Sequence, residues 1–243
     1  MTNRPTTMES VLGAMIEKAG GPLPGQIGAA CADVLGADRA SITVVLDEVR
    51  HTVCVTDPVA GHLDELQFTV GEGPWLEAYA TGSVVVAADL SGEEARWPML
   101  VSGLREFTER TGERVGGSMG VPLRVRGESP DEFRLGALNL LFPGRISVDR
   151  VFAERARATA DAAALAVLGV MPDGRDLGPD WWTFGADLRR SVHLATGLIA
   201  ERLGLALEDA LLRLRTSAFV HGQTSSERAE EILATRDVTE EDL

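Results

Sequence analysis

The sequence contains little cysteine and no long apolar run. Cys31 and Cys54 are the only cysteines among 243 residues, which excludes a disulfide framework and the paired spacing of cysteine-based metal sites. The longest apolar run extends from Ala162 to Met171, far short of the roughly 20 residues that a membrane helix needs. The first ten residues lack the basic start and apolar run of a signal peptide. We therefore expect a cytoplasmic protein that does not associate with membranes.

Positive charge is also scarce. The chain has 23 basic and 37 acidic residues, a formal net charge of −14, and Lys18 is its only lysine. Because electrostatic attraction supplies most non-specific affinity for nucleic acids, the chain as a whole should repel a polyanion. Any nucleic-acid binding must therefore be local and selective for shape, and no DNA partner is expected.

Residue groups typical of catalytic sites are missing as well. The sequence shows no Ser-His-Asp order in a recognisable turn, no paired carboxylates at adjacent strand ends and no His/Cys cluster. His51 and His62 each lack a second ligand at a usable spacing for a metal. The glycines Gly71 and Gly73 are followed by no lysine of a phosphate-binding loop and predict a turn. We expect no enzyme activity, no metal and no resident cofactor.

The first two thirds of the chain alternate between helical and strand patterns. Two helical patterns occupy 8–36, on either side of the breaker GGPLPG, and β-branched runs at 40–47 and 51–57 predict a hairpin. Further signals predict a helix at 74–80, a strand at 83–87, an amphipathic helix at 96–111, strands at 117–126 and 133–143, and a helix at 148–169. This order predicts an α+β domain in which helices cover an antiparallel sheet.

The C-terminal third predicts three short helices. One apolar stripe contains Leu188, Val192, Ala195, Ile199 and Leu203, and a second contains Leu207, Ala210, Leu211, Leu214 and Ala218. The sequence from Thr224 to Glu227 is a capping box, which predicts the start of a third helix. The residues therefore predict an all-α three-helix bundle after the α+β domain.

The motif order in the first domain resembles that of GAF domains across residues 22–169. The motifs are GEGPW, LEAYATG, SVVVAADL, the following Arg96-Trp97-Pro98, and the final strands GVPLRV and LGALNLL. The resemblance implies a pocket for a small molecule between the sheet and its crossing helices, and terminal helices that form a homodimer. We expect the pocket, for a ligand of unknown identity, near Phe68, Trp75, Tyr79 and Trp97; the alternative is that these aromatic residues belong to the core.

The C-terminal helices resemble the ANTAR domain, a three-helix RNA-binding module of bacterial transcription antiterminators. The resemblance is carried by Arg189, Ala195, Gly197, Arg202, Gly204, Ala210, Leu214, Arg215 and Ala218. It implies that the domain binds paired stem-loops in a leader transcript and so prevents a terminator hairpin. Cationic and hydroxyl side chains grip RNA phosphates and bases, and the expected RNA-binding residues are Arg189, Arg190, Thr196, Arg202 and Arg215.

The third helix departs from the family pattern. Ser225 and Arg228 stand where apolar residues are usual, so this helix should be weakly anchored. An alternative to RNA binding also stays open: the arginines can pair with Glu201, Glu208 and Asp209 on a solvated face, as charged helix positions commonly do. In that case the bundle is a dimerisation or docking module of a ligand-sensing protein.

The sequence thus predicts four segments: an N-terminal helix over 1–21, a GAF-like sensor domain over 22–169, a linker over 170–180 that is rich in proline and glycine, and an ANTAR domain over 181–243. Trp181, Trp182 and Phe184 are more aromatic surface than a small bundle can bury. We expect them to pack on a partner subunit or on the sensor domain, because aromatic residues anchor interfaces.

Overall fold

The structure is a computed structural model that describes residues 24–46, 49–126, 132–170 and 189–235. The predicted N-terminal helix over 1–21, most of the predicted linker, and the residues Trp181, Trp182 and Phe184 lie outside these ranges. We call residues 24–170 the sheet domain and residues 189–235 the C-terminal bundle.

The sheet domain is built on one antiparallel sheet with the strand order β2-β1-β5-β4-β3. Its elements are α1 (Pro24–Leu35), β1 (Arg39–Leu46), β2 (Val49–Val55), α2 (Pro58–Val70), α3 (Pro74–Thr81), β3 (Val85–Ala87), a 3-10 turn (Leu90–Gly92), α4 (Pro98–Thr111), β4 (Ser118–Arg126), β5 (Glu132–Leu141) and α5 (Arg150–Val170). The predicted α+β architecture is confirmed, as is the first hairpin.

The two faces of the sheet are covered by different chemistry. Successive side chains of a strand point to opposite faces. In β1, Ala40, Ile42 and Val44 join an aliphatic core together with residues of α1 and α5. On the other face, Ser41 and Thr43 are buried beneath α2, to which their hydroxyls donate hydrogen bonds. The polar face is the one that points toward the C-terminal bundle.

Helix α2 was not predicted from the sequence, although its ends carry standard signals. Asp57 caps its start by accepting a hydrogen bond from the Ala60 amide at 2.7 Å, and Pro58 stands at the first turn. The helix ends at Gly71, whose φ of 74° is in the left-handed region that glycine adopts without strain. Buried polar residues occur along the helix among the buried apolar ones. It therefore lacks the clear polar stripe by which a surface helix is found in a sequence.

The C-terminal bundle contains α6 (Arg190–Leu203), α7 (Leu207–Val220) and α8 (Ser225–Thr235). Its buried apolar side chains are Val192, Ala195, Ile199, Ala210, Leu214, Ala218, Ala229 and Ile232. The capping box forms as predicted: the Thr224 amide donates to Glu227 Oε2 at 2.8 Å, and the Glu227 amide donates to Thr224 Oγ1 at 3.2 Å. Leu207 was expected on the buried face but is 64% exposed, because it begins α7 at the edge of the bundle.

The described ranges lack membrane-spanning helices and metal-binding clusters. None of their helices combines the length and apolar character that crossing a membrane requires. The same ranges contain no cluster of three or more histidine, cysteine or acidic side chains arranged to hold a metal ion. Cys31 and Cys54 are free and buried, and burial raises the pKa of Cys54 to about 12.

Candidate functional site

The sheet domain and the C-terminal bundle share one apolar core. Phe68 of α2 and Trp75 of α3 belong to the same buried cluster as Val192, Ile199 and Leu214 of the bundle. The bundle thus packs directly on the helices that cover the polar face of the sheet. At this shared core the buried charged residues Asp64, Glu65 and Arg189 meet the rings of Phe68 and Trp75, and we call these five residues the interdomain site.

Asp64 is the most fully engaged residue of the interdomain site. Its Oδ1 accepts hydrogen bonds from the hydroxyls of Ser41 and Thr43, each at 3.1 Å. Its Oδ2 accepts from the Thr52 hydroxyl at 2.6 Å and from Arg189 Nη2 at 2.7 Å. The three hydroxyls lie on β1 and β2, so the sheet itself fixes the orientation of this carboxylate.

Arg189 connects the two domains through a buried ion pair with both acids. Besides its bond to Asp64, it donates from Nε to Glu65 Oε1 at 2.8 Å, and only 2% of the residue is exposed. Its guanidinium stacks 4.0 Å from the ring centroid of Phe68 and lies 5.9 Å from that of Trp75. Charge-assisted bonds of this kind are among the strongest that proteins form.

Two further arginines beside the interdomain site give this region more positive than negative charge within the described part of the chain. Arg50 and Arg215 lie near Arg189, and burial followed by mutual repulsion lowers the pKa of both; that of Arg215 falls to about 10. Burial raises the pKa of Glu65, and the nearby Arg189 opposes this rise. Bringing the bundle onto the sheet domain therefore assembles like charges that the two acids only partly balance.

Polar contacts of α2 with the bundle extend the connection along the helix. Arg215 Nε donates to the carbonyl oxygen of Thr69 at 2.9 Å. The Ser225 amide donates to Thr69 Oγ1 at 3.0 Å, and the two hydroxyls lie 2.9 Å apart. Ser226 donates to Glu65 Oε2 at 2.9 Å. We expected α8 to be weakly anchored because its start is polar. That polar start is instead a docking point for the sheet domain.

A histidine pair lies next to the interdomain site. The rings of His51 on β2 and His193 on α6 are 5.3 Å apart between centroids. Burial, together with the nearby His193 and Arg189, lowers the pKa of His51 to about 4. His51 is therefore neutral at physiological pH, and its protonation would place another positive charge at the contact between the domains.

The five predicted RNA-binding residues fall into two groups. Arg189 and Thr196 are buried, Arg215 is half-buried, and the Thr196 hydroxyl donates to the Val192 carbonyl at 2.7 Å. Arg190 and Arg202 are exposed. In this conformation RNA cannot reach Arg189 or Thr196, and the expected contact surface is divided between the interior and the solvent.

Three of the four predicted pocket aromatics lie together, and the fourth, Trp97, lies apart. Phe68 and Trp75 are buried in the shared core, and Tyr79 packs against the same cluster. Trp97 belongs to a separate cluster with Leu100 and is stacked by Arg96 at 4.3 Å. The position where the sequence predicted a ligand beside Phe68 and Trp75 is occupied by the Arg189 guanidinium.

A small cleft also opens between the domains, away from the interdomain site. Its volume is about 90 Å³, and it lies between α2, α4 and the turn that joins α7 to α8. His62 lines the cleft and stacks on Phe107, with their ring centroids 4.3 Å apart. The predicted pocket aromatics do not line it.

Sequence reasoning missed Asp64 and Glu65, the two acids of the interdomain site. Adjacent acids in a helical pattern usually indicate a solvated face, and nothing local marks these two as buried. The detectable signal was the helix itself, with Asp57-Pro58 at its start and Gly71 at its end. Placing that helix against the sheet would have made two adjacent acids conspicuous, because buried acids need partners.

Comparison with known proteins gives distant structural likenesses only. No protein-family model matches the chain, and a search among curated proteins finds no match. A GAF domain of a phosphoenolpyruvate-protein phosphotransferase from Acinetobacter is 14% identical, with 72% of this chain and 99% of that chain covered and a TM-score of 0.48. The corresponding domain from Coxiella burnetii is 17% identical, with coverages of 68% and 94% and a TM-score of 0.44.

A third solved structure is free methionine-R-sulfoxide reductase from Neisseria meningitidis in complex with its substrate. It is 14% identical, with 66% of this chain and 85% of that chain covered and a TM-score of 0.44. No functional conclusion follows from likenesses at this level.

Proposed function

We propose that this protein is a two-domain regulator in which a GAF-like sheet domain senses a small molecule and an ANTAR-like bundle binds RNA. Its RNA target is a pair of stem-loops in a leader transcript, and binding acts in transcription antitermination. The protein works as a cytoplasmic homodimer and catalyses no reaction. The observation that carries this proposal is the buried ion pair of Arg189 with Asp64 and Glu65, which connects the output to the sensor.

Such control requires two states, and the ion pair belongs to one of them. In the docked state Arg189 is buried against the sheet domain, and Arg215 is bonded to Thr69. In an undocked state both guanidiniums would be free to contact a ligand of the bundle. Regulation of one site by another requires contacts that differ between two states, and these arginines provide such contacts. The docked conformation is the RNA-inactive one.

The charge distribution agrees with this assignment. The chain carries a formal charge of −14, so affinity for RNA depends on a local concentration of arginines. Docking withdraws Arg189 and Arg215 from the bundle surface and leaves Arg190 and Arg202 exposed. Undocking would bring four of the five predicted RNA-binding residues to the surface together.

The test compares the full-length protein with an undocked variant. Asp64→Asn combined with Glu65→Gln removes both carboxylates that hold Arg189, and Glu77→Gln, which breaks an exposed pair with Arg96, is the matched control. RNA recovered by crosslinking and sequencing supplies the gel-shift probe. We expect the double variant to bind at least tenfold more tightly than wild type, with a steep loss of affinity as salt rises, and the control to match wild type.

Two further outcomes would support or reject the proposed RNA binding. Adding Arg202→Ala and Arg215→Ala to the undocked variant should abolish the gel shift while leaving its melting temperature unchanged. If neither wild type nor the undocked variant recovers a specific RNA, the RNA-binding function is rejected.

A second function is favoured by the use of Arg189 and Arg215 within the chain. Side chains that are satisfied inside the protein are expected of a docking module that never binds RNA. In that case the undocked variant gains a protein contact in place of an RNA contact. Light scattering would then show a larger assembly of the undocked variant that persists at high salt, because apolar docking is insensitive to screening.

A further inference from the structure

The sheet-domain side of the interdomain site has the chemistry of a guanidinium receptor. Two carboxylates accept from two different nitrogens of the same planar group: Asp64 from Nη2 and Glu65 from Nε of Arg189. The face of Phe68 covers that group at 4.0 Å. A planar cation with several fixed donors matches this arrangement, whereas a compact ammonium cannot bridge both acids and stack at once.

The sheet domain itself fixes the Asp64 side of this receptor. The hydroxyls of Ser41, Thr43 and Thr52 hold Asp64 in place, and all three belong to the sheet. Phe68 lies on α2, the helix that also carries both acids. The C-terminal bundle supplies the guanidinium and the Ser226 hydroxyl, which donates to Glu65 Oε2. When the bundle leaves, a pair of adjacent acids therefore stays behind without its cation, and buried charges of this kind need a counter-ion.

Arg189 is an imperfect occupant of this site. Its Nη1 is buried and has no hydrogen-bond partner in the described ranges, and the same holds for the neighbouring Trp75 Nε1. Buried donors are normally satisfied, so Arg189 occupies the site without completing its own hydrogen bonds. A free molecule can adjust its position in ways that a side chain fixed to α6 cannot.

From this geometry we infer that the sheet domain binds a small organic cation with a guanidinium or amidinium group, which takes the position of Arg189 and releases the C-terminal bundle. The release step rests on the proposed function; the binding step does not. Ligand and Arg189 exclude each other, because Arg50, Arg189 and Arg215 already outnumber the two acids there within the described part of the chain. Replacing one cation by another leaves that balance unchanged, whereas an anion would face Asp64 and Glu65.

The first test titrates the full-length Arg189→Ala variant with methylguanidinium and measures binding by calorimetry. We expect saturable binding at millimolar or lower concentration, at least tenfold weaker binding of methylammonium, and loss of binding when Asp64→Asn is added. Should Arg189→Ala fail to fold alone, methylguanidinium in the same concentration range should restore its melting transition. The inference is overturned if Arg189→Ala shows neither saturable binding nor restored folding. It is also overturned if binding persists when Asp64→Asn is added.

The second test uses the wild-type protein, so it needs no variant to fold. Methylguanidinium should increase hydrogen exchange at the Ser225 amide, which donates to Thr69 in the docked state. Methylammonium at the same concentration should leave exchange unchanged. Binding to Arg189→Ala without faster exchange in wild type would overturn the displacement of the bundle.

The outcomes separate this inference from the proposed function. If methylguanidinium binds but no variant binds RNA, the guanidinium site stands and the RNA output is rejected. If the Asp64→Asn, Glu65→Gln variant binds RNA but Arg189→Ala does not bind methylguanidinium, the RNA-binding function is retained and the ligand class is wrong.

Discussion

The two faces of the central sheet differ in what they bury. The face toward α1 and α5 is aliphatic, with Ile42, Met119 and Leu138 fully buried in its core. The opposite face buries Thr43 and Asn139 as well as charged groups of the interdomain site. Apolar burial stabilises a fold without requiring specific partners, whereas buried polar groups stabilise only when every partner is in place.

This difference indicates what each face does. The aliphatic face holds the sheet domain together whether or not the bundle is docked. On the polar face, Asp64 and Glu65 are paired with Arg189 only while the bundle is docked, and they lose this partner when the bundle leaves. Sensitivity to a ligand therefore belongs on the polar face, and substitutions on the two faces should have separable effects.

The largest effect is expected for Arg189→Ala. It leaves Asp64 and Glu65 buried without a cation and should lower the free energy of unfolding by about 3–5 kcal/mol, the range found when one member of a buried pair is removed. Urea unfolding measures the change. The control is Arg96→Ala, which breaks the exposed pair with Glu77 and should change stability by less than about 1 kcal/mol. If the two substitutions lowered the free energy of unfolding equally, burial would not explain the contribution of the Arg189 ion pair.

A comparable loss with a different signature is expected for Leu138→Ala on the aliphatic face. Leu138 is fully buried, and the cavity should lower the free energy of unfolding by about 3 kcal/mol, near the middle of the range for such changes. Local opening at the Ser225 amide, measured by hydrogen exchange in conditions that favour the native state, should match wild type. Faster local opening would show that the two faces are not independent.

A smaller effect is expected for Thr69→Val, which keeps the side-chain shape but removes the acceptor of the Ser225 amide. A buried amide left without a partner should weaken docking by about 1–3 kcal/mol. Hydrogen exchange at Ser225 reports the change directly. As a matched control, Thr81→Val removes an exposed hydroxyl that bonds to the Glu77 carbonyl and should change stability by less than about 0.5 kcal/mol.

The smallest effect concerns pH. Burial, His193 and Arg189 lower the pKa of His51 from its ordinary 6.5 to about 4, so the folded state favours the neutral ring. Stability from this residue is fully present above pH 6.5 and is lost progressively as pH falls toward 4. His51→Gln should therefore show a smaller fall in melting temperature between pH 7 and pH 5 than wild type. Parallel curves for the two proteins would exclude His51 as the cause.

Much of the fold could be predicted because its signals are local. The hairpin of β1 and β2 follows from two β-branched runs with a short turn between them. The start of α8 follows from Thr224 and Glu227, which are three residues apart and bond each other as the capping box requires. In both cases the residues that determine the element are neighbours in the sequence.

The interdomain site could not be predicted because its members are far apart in the chain. Arg189 and Asp64 are separated by 125 positions, and neither position alone indicates an ion pair. Ser225 likewise appeared as a defect in a helix pattern, although its amide and hydroxyl bond Thr69 across 156 positions. Single-sequence patterns report periodicity and caps, whereas the partner of a buried charge is determined by the tertiary packing.

Phe68 and Trp75 have a consequence for how the chain can be divided. By sequence they belong to the first domain, yet they complete the apolar interior of the second. A fragment beginning near Arg189 would expose Val192, Ile199 and Leu214 to water where these two rings now cover them. Each half thus covers apolar surface of the other, and undocking must expose that surface on both sides.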